Sequence, residues 1–218
     1  MKNGTSEAPV AQSPEAFDAQ DYVTPPFLVA AVGASAGGLK AFSTLLGAIP
    51  ADAPLAVVLV QHLSRTHTSM LPDILTQRTA LRVVLAADGL RIEQGSVYVI
   101  PPDTHMTVID GHLRVRPRPE GKGSVQVNAL FRSVAEYYRG KAVGVVLSGA
   151  LSDGAEGLRA IKAAGGVTIA QVPEEAETEG MPRAAIATGD VDMILPAEEI
   201  SAELVRLGAL PRYKRQGS

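Results

Sequence analysis

Residues 27–42 read FLVAAVGASAGGLKAF: an unbroken apolar run, a glycine-rich turn at 33–38, and the start of a helical stretch reaching Ile49. A short continuous apolar run closed by glycine is the pattern of a strand buried on both faces, and such strands belong to parallel sheets covered by helices. The same unit recurs along the chain. LAVVLVQH (55–62) is a second buried strand, followed by helical SMLPDILTQRT (69–79) with an early proline. KAVGVVLSG (141–149) leads into a helix at 155–166 that glycine ends. VTIAQ (167–171), a short helix near 182–189, the strand DMILP (192–196) and a helix over 198–208 continue the alternation. LRVVLA (81–86) and GSVYVIP (95–101) add strands, and 127–140 adds a helix with Leu130, Val134 and Tyr138 on one stripe. In HMTVIDGHLRVRPR (105–118) two alternating arms flank Asp110-Gly111, a strong hairpin signal. The expected fold is α/β: a doubly wound, mainly parallel sheet with helices on both faces and one β-hairpin insertion. In such sheets a site lies outside the carboxyl ends of the strands.

Residues 1–26 are rich in Ala, Pro, Ser, Asp and Glu without apolar periodicity, and read as a disordered leader or linker. Residues 27–208 form the expected single domain, and 209–218 a flexible tail. The formal charge of −3 gives no general attraction to nucleic acid or to an anionic membrane. The chain has no cysteine, which excludes disulfides, thiolate nucleophiles and thiolate metal sites and fits a cytoplasmic protein. No apolar run approaches the ~18 residues of a membrane span, so no membrane insertion is expected.

The turn at 33–38 suits either a phosphate or a nucleophilic serine. A dinucleotide fingerprint needs glycine in the middle position and an acidic residue at the end of the second strand. Here the middle residue is Ser35 and the second strand ends in Gln61-His62. A Walker loop needs a Lys-Ser/Thr pair after the glycines, and none follows. Gly33, Ser35 and Gly37 do match G-x-S-x-G, in which a sharp strand-to-helix turn lifts the serine above the sheet. The bland alternative is a serine that caps the following helix.

A nucleophilic serine needs a base, and the base an orienting carboxylate. His62 follows the second buried strand directly, and Asp153 lies just beyond the strand that ends near Leu147. With those strands parallel and adjacent, Ser35, His62 and Asp153 face one crevice. Taken singly, His62 could merely end a strand, and Asp153-Gly154 could be a turn and N-cap for the helix at Ala155. His67 has no glutamate in a zincin arrangement, so a zinc site is not expected; His105 opens the hairpin within reach of the rim, and His112 reads as solvated. PEEAETE (173–179) reads as a solvated loop, without a histidine to make it a metal site. No metal and no cofactor are expected.

The blocks VGASAGGLKAF, VVLVQHLSRTHTSMLPDIL, VYVIPPDTHM, LFRSVAEYY, AVGVVLSGALSDGAEGLRAIKAAGG, TIAQ and GMPRAAIATGDVDMILPAEEI occur in this order. Together, from Phe27 to Leu207, the chain resembles the catalytic domain of CheB, the chemotaxis protein-glutamate methylesterase. The resemblance implies a serine hydrolase that cleaves γ-glutamyl methyl esters on methylated chemoreceptors with release of methanol, some members also deamidating receptor glutamines. It assigns Ser35 as nucleophile, His62 as base and Asp153 as its orienting carboxylate. It places the oxyanion donors at the backbone N–H groups of Ala36 and Ala150, and the substrate rim at His105 and Met181. Three positions depart from the usual family pattern: Ala36 stands where threonine is frequent, Ala150 where methionine is frequent, and Asn128 where an aspartate is usual. All three are read as changes at the rim. The family usually carries an N-terminal phosphorylatable receiver domain, which ~25 residues of leader are too few to form. A receiver or a methyltransferase is then expected, if at all, as a separate partner. A non-catalytic docking module of the same fold, and an esterase acting on another protein, stay open as alternatives.

Overall fold

The computed structural model describes residues 26–61, 70–118 and 125–210; the expected leader up to residue 25, the tail from residue 211, and His62 and His67 lie outside the described residues. β1 (Leu28–Ala34) runs into α1 (Gly38–Gly47), then β2 (Leu55–Gln61) and α2 (Leu71–Thr76), whose Pro72 sits in the first turn, where a missing N–H costs nothing. β3 (Arg82–Leu85) and β4 (Ser96–Val99) follow, then the hairpin of β5 (Thr104–Ile109) and β6 (His112–Pro117). After α3 (Gln126–Tyr138) come β7 (Ala142–Val146), α4 (Ala155–Ala163), β8 (Val167–Gln171), α5 (Gly180–Ala187), β9 (Met193–Leu195) and α6 (Ala197–Ala209).

Seven strands form one parallel sheet in the order β3-β4-β2-β1-β7-β8-β9. The chain builds outward from β1 in one direction and later returns to build from its other edge. β1 and β7 therefore flank a topological switch point, where the loops leaving neighbouring strands part and open a crevice.

Strand alternation divides the core into two layers. Leu28, Ala30 and Val32 of β1, with Leu55, Val57 and Leu59 of β2, meet Phe42, Leu45 and Leu46 of α1 and Ile200 and Leu204 of α6. On the other face Val29, Ala31, Val58 and Val60 meet Leu130, Phe131 and Val134 of α3, Leu158 and Ile161 of α4, and Met106, Val108 and Leu113 of the hairpin. The stripe of Leu130, Val134 and Tyr138 is buried as its helical spacing predicts. The hairpin turns at Asp110 (φ 50°) and Gly111 (φ 73°), with Ile109 paired to His112. Two successive left-handed residues match the twist of the flanking strands, which is why Asp-Gly specifies this turn.

Candidate active site

The chain leaves β1 at Ala34 and enters α1 at Gly38, so Ser35, Ala36 and Gly37 make the whole turn. Ser35 N–H donates to the Ser148 carbonyl at 2.9 Å, and Ser35 C=O accepts from Gly38 N–H at 2.9 Å. Gly37 carries the reversal at φ 77°, and a Cβ there would stand 2.6 Å from both Ser148 Oγ and Glu177 Cβ. Conformation and space both require glycine. No side chain caps α1, so the half-buried Ser35 does not have the capping role its position allows. Gly33 serves clearance of another kind: a Cβ would fall 2.3 Å from Val127 Cγ1, because the first turn of α3 rests directly on the end of β1.

Beyond β7, Leu147 N–H donates to Gly33 C=O at 2.9 Å and extends the pairing with β1 past the strand. Ser148 then acts as a hub. Its hydroxyl donates to Ala36 C=O at 2.7 Å and accepts from Thr178 N–H at 3.0 Å, while its N–H donates to Gln171 Oε1 at 2.9 Å. Gly149 is bracketed by Thr178 C=O, which accepts its N–H at 2.9 Å, and Met181 N–H, which donates to its C=O at 2.8 Å. A Cβ on Gly149 would lie 2.2 Å from Met181 Sδ and 3.0 Å from Ser35 Cβ. The loop leading to Asp153 thus passes directly against the nucleophile candidate.

Asp153 is 5% exposed. Its Oδ2 accepts from Val127 N–H at 2.9 Å and its Oδ1 from Asn128 N–H at 3.0 Å. These are donors of the first turn of α3, at the positive end of the helix dipole, so the bonds are charge-assisted. Asn128 returns the arrangement: its Oδ1 accepts from Gly154 N–H at 3.1 Å and Gly157 N–H at 2.6 Å, at the start of α4. Asp153, which precedes α4, caps α3; Asn128, inside α3, caps α4. This corrects two readings of the sequence. Asp153 is not the cap of its own helix, and Asn128, 6% exposed, is no rim residue but the anchor of the loop that carries Asp153.

β2 approaches the same rim. Gln61 pairs with Ala34, and its Nε2 reaches Ser35 C=O at 3.4 Å; His62, next in sequence, lies outside the described residues. Ala36 and Ala150 are exposed, and among the described residues neither N–H has a protein acceptor. His105 is half-buried on β5, beside Thr104, whose carbonyl accepts from Gln126 Nε2 at 2.8 Å just ahead of the residues that hold Asp153. Met181 is fully buried; it packs beneath Gly149 and supports the loop from below, where a rim residue would stand exposed.

The acidic composition of 173–179 predicts a solvated loop. Thr178 instead ties it to Ser148 and Gly149, which places Glu177 beside Gly37. Ser35, Ala36, Gln61 and Glu177 share an open cavity of about 560 Å³. Arg183 bridges Glu174 and Glu179, and the hydrogen bond it donates to Glu179 above all raises the guanidinium pKa further. Among the described residues no group of three or more His, Asp or Glu could hold a metal ion, and no helix is long and apolar enough to cross a membrane.

A family model described as CheB methylesterase matches residues 30–204. A protein-glutamate methylesterase/protein-glutamine glutaminase of Methanosarcina barkeri is 37% identical over 189 residues, covering 82% of this chain and 52% of that protein. A counterpart from Cupriavidus metallidurans is 40% identical over 184 residues, covering 84% and 54% respectively. The chain therefore spans about half the length of the curated relatives it matches. The crystal structure of the Thermotoga maritima CheB methylesterase catalytic domain superposes with a TM-score of 0.77 at 30% identity, over 83% of this chain and 98% of that one.

Proposed function

The chain belongs to the CheB methylesterase family, and from that premise we propose that it is a serine hydrolase removing methyl groups from glutamate γ-methyl esters on a chemoreceptor-like protein. Ser35 Oγ attacks the ester carbonyl while His62 accepts its proton. The tetrahedral oxyanion is met by the N–H groups of Ala36 and Ala150, which have no other acceptor among the described residues. Collapse expels methanol, protonated by His62, and leaves the γ-carbonyl bonded to Ser35. Water, deprotonated by His62, then releases the glutamate carboxylate and restores the hydroxyl. Asp153 holds the imidazole and stabilises its charged form. The observation that carries the reading is the contact between the Ser35 turn and the loop leading to Asp153, at the crevice between β1 and β7.

The relatives named above carry glutaminase in their names as well. The same acyl-enzyme forms from a glutamine carboxamide with ammonia leaving, so we include deamidation in the proposal. A methylated receptor, met in the cytoplasm, is the proposed partner; a separate receiver or methyltransferase is the proposed source of control. The test of the site is covalent: a fluorophosphonate should label wild-type protein stoichiometrically at Ser35 and leave Ser35→Ala and His62→Ala unlabelled. Labelling elsewhere, or none, would overturn the assignment.

A further inference from the structure

A second cavity of about 420 Å³ adjoins the nucleophile turn and shares Gly37, Lys40 and Glu177 with the first. It runs between α1 and the start of α6, and Glu175, Glu177 and Glu198 all line it. The carboxylates of this region divide into two kinds. Glu174 and Glu179 are both paired with Arg183. Glu175, Glu177 and Glu198 have no ion pair among the described residues, and Lys40 is the cation of the lining, so the cavity carries a surplus of two negative charges. Glu198 also complements the positive end of α6, which leaves Glu175 and Glu177 as the carboxylates without a local structural task.

An independent observation concerns Gln171, 4% exposed and part of the same lining. Its Oε1 is taken by Ser148 N–H, while its Nε2 donors have no acceptor among the described residues. A buried amide donor without a partner is costly, so an occupant of the cavity has reason to bring an oxygen. Charge calls for a cation, and the amide calls for a carbonyl. A peptide carrying lysine or arginine supplies both from one residue. A metal ion fits less well, since no metal-holding cluster occurs among the described residues.

We propose that this cavity is a subsite for a basic residue of the substrate protein, close to the glutamyl ester presented to Ser35. The inference rests on the hydrolase reading for the partner's identity alone. Glu177, which reaches both cavities, couples the subsite to the reacting centre: a substrate docked there by its cation lies with its neighbouring side chains over the nucleophile turn. Like charges near that turn are held apart by the same group. A carboxylate roughly 8 Å from another charge at an effective dielectric of about 40 shifts affinity about fivefold.

The experiment uses peptides bearing one glutamate γ-methyl ester, with lysine or norleucine scanned over the four positions on either side. Binding is read by fluorescence anisotropy and turnover by methanol release, with the full chain. Lysine should bind about fivefold tighter than norleucine at one or more positions, and the ratio should fall towards one in 0.5 M salt. Glu175→Gln/Glu177→Gln should abolish the ratio; both residues are exposed, so folding is not at stake. Glu174→Gln, whose carboxylate is already paired, should keep it. Equal binding of lysine and norleucine at every position, or a preference that survives the double substitution, overturns the subsite. Retained preference without any turnover would overturn the hydrolase reading while leaving the subsite standing, and turnover without preference would do the reverse.

Discussion

Replacing Asn128 tests the interlocked caps on which the Asp153 loop depends. Asn128→Ala removes the acceptor of two buried donors, the N–H groups of Gly154 and Gly157. A stranded buried donor costs roughly 1–3 kcal/mol, so the pair should cost about 3 kcal/mol once partial relaxation is allowed for. For a domain of this size that corresponds to a fall in melting temperature of about 6–12 °C. Asn128→Asp has the same shape and keeps the acceptor, now strengthened by charge at the start of α4, while placing a second carboxylate near Asp153. It should cost less than half as much. Urea titration and thermal melting measure both variants. Activity should follow the same order, because the loop that loosens in Asn128→Ala is the one that positions Asp153. A loss of less than about 1 kcal/mol in Asn128→Ala, or equal destabilisation of the alanine and aspartate variants, would refute the interlocked caps.

Other outcomes follow from the same contacts. Gly149→Ala should drive a methyl group into Met181 and Ser35 and lower turnover about a hundredfold while the fold survives, since misplacement by about 1 Å suffices; Gly149→Ala/Met181→Ala should recover part of the loss, and full activity in the single variant would contradict the packing described. Asp192 joins α4 to the start of β8. Partial burial raises its pKa, but hydrogen bonds from Lys162 and Thr168 outweigh that and hold the carboxyl below its ordinary value. A depressed folded-state pKa means stabilisation that is complete above the unfolded value and lost as pH falls through the folded one, below about pH 4. Denaturant midpoints should therefore drop more steeply on acidification in wild type than in Asp192→Asn, and parallel curves would count against it. Methanol release should decline as acid protonates His62, and a rate flat into the acid range would exclude a histidine base.

The layered fold was legible because its signals are local. Apolar runs such as 55–60 mark strands buried on both faces, and Asp110-Gly111 carries its turn in two residues. The alternation of strand and helix implied a parallel sheet, while the parting of the chain at β1 and β7 is a property of the strand order. What stayed hidden was non-local. Asn128 meets its donors 26 and 29 residues away, and no pattern around position 128 announces α4. The 173–179 segment looked solvated because its composition is acidic, yet it is fixed through the backbone of Thr178, which composition does not report. Met181 followed the same logic in reverse: a residue next to a site motif was read as surface, whereas Gly149 has no side chain and opens room for it underneath. The candidate site could be assembled in outline from strand ends, but its supporting bonds needed three dimensions.

In the proposed mechanism Ser35 is the nucleophile of a glutamyl methylesterase. Methanol release from a methylated chemoreceptor, measured side by side for wild type and Ser35→Ala, tests it most directly. Wild type should release methanol, and Ser35→Ala should be slower by at least about a thousandfold. Equal release by the two proteins would contradict the claim.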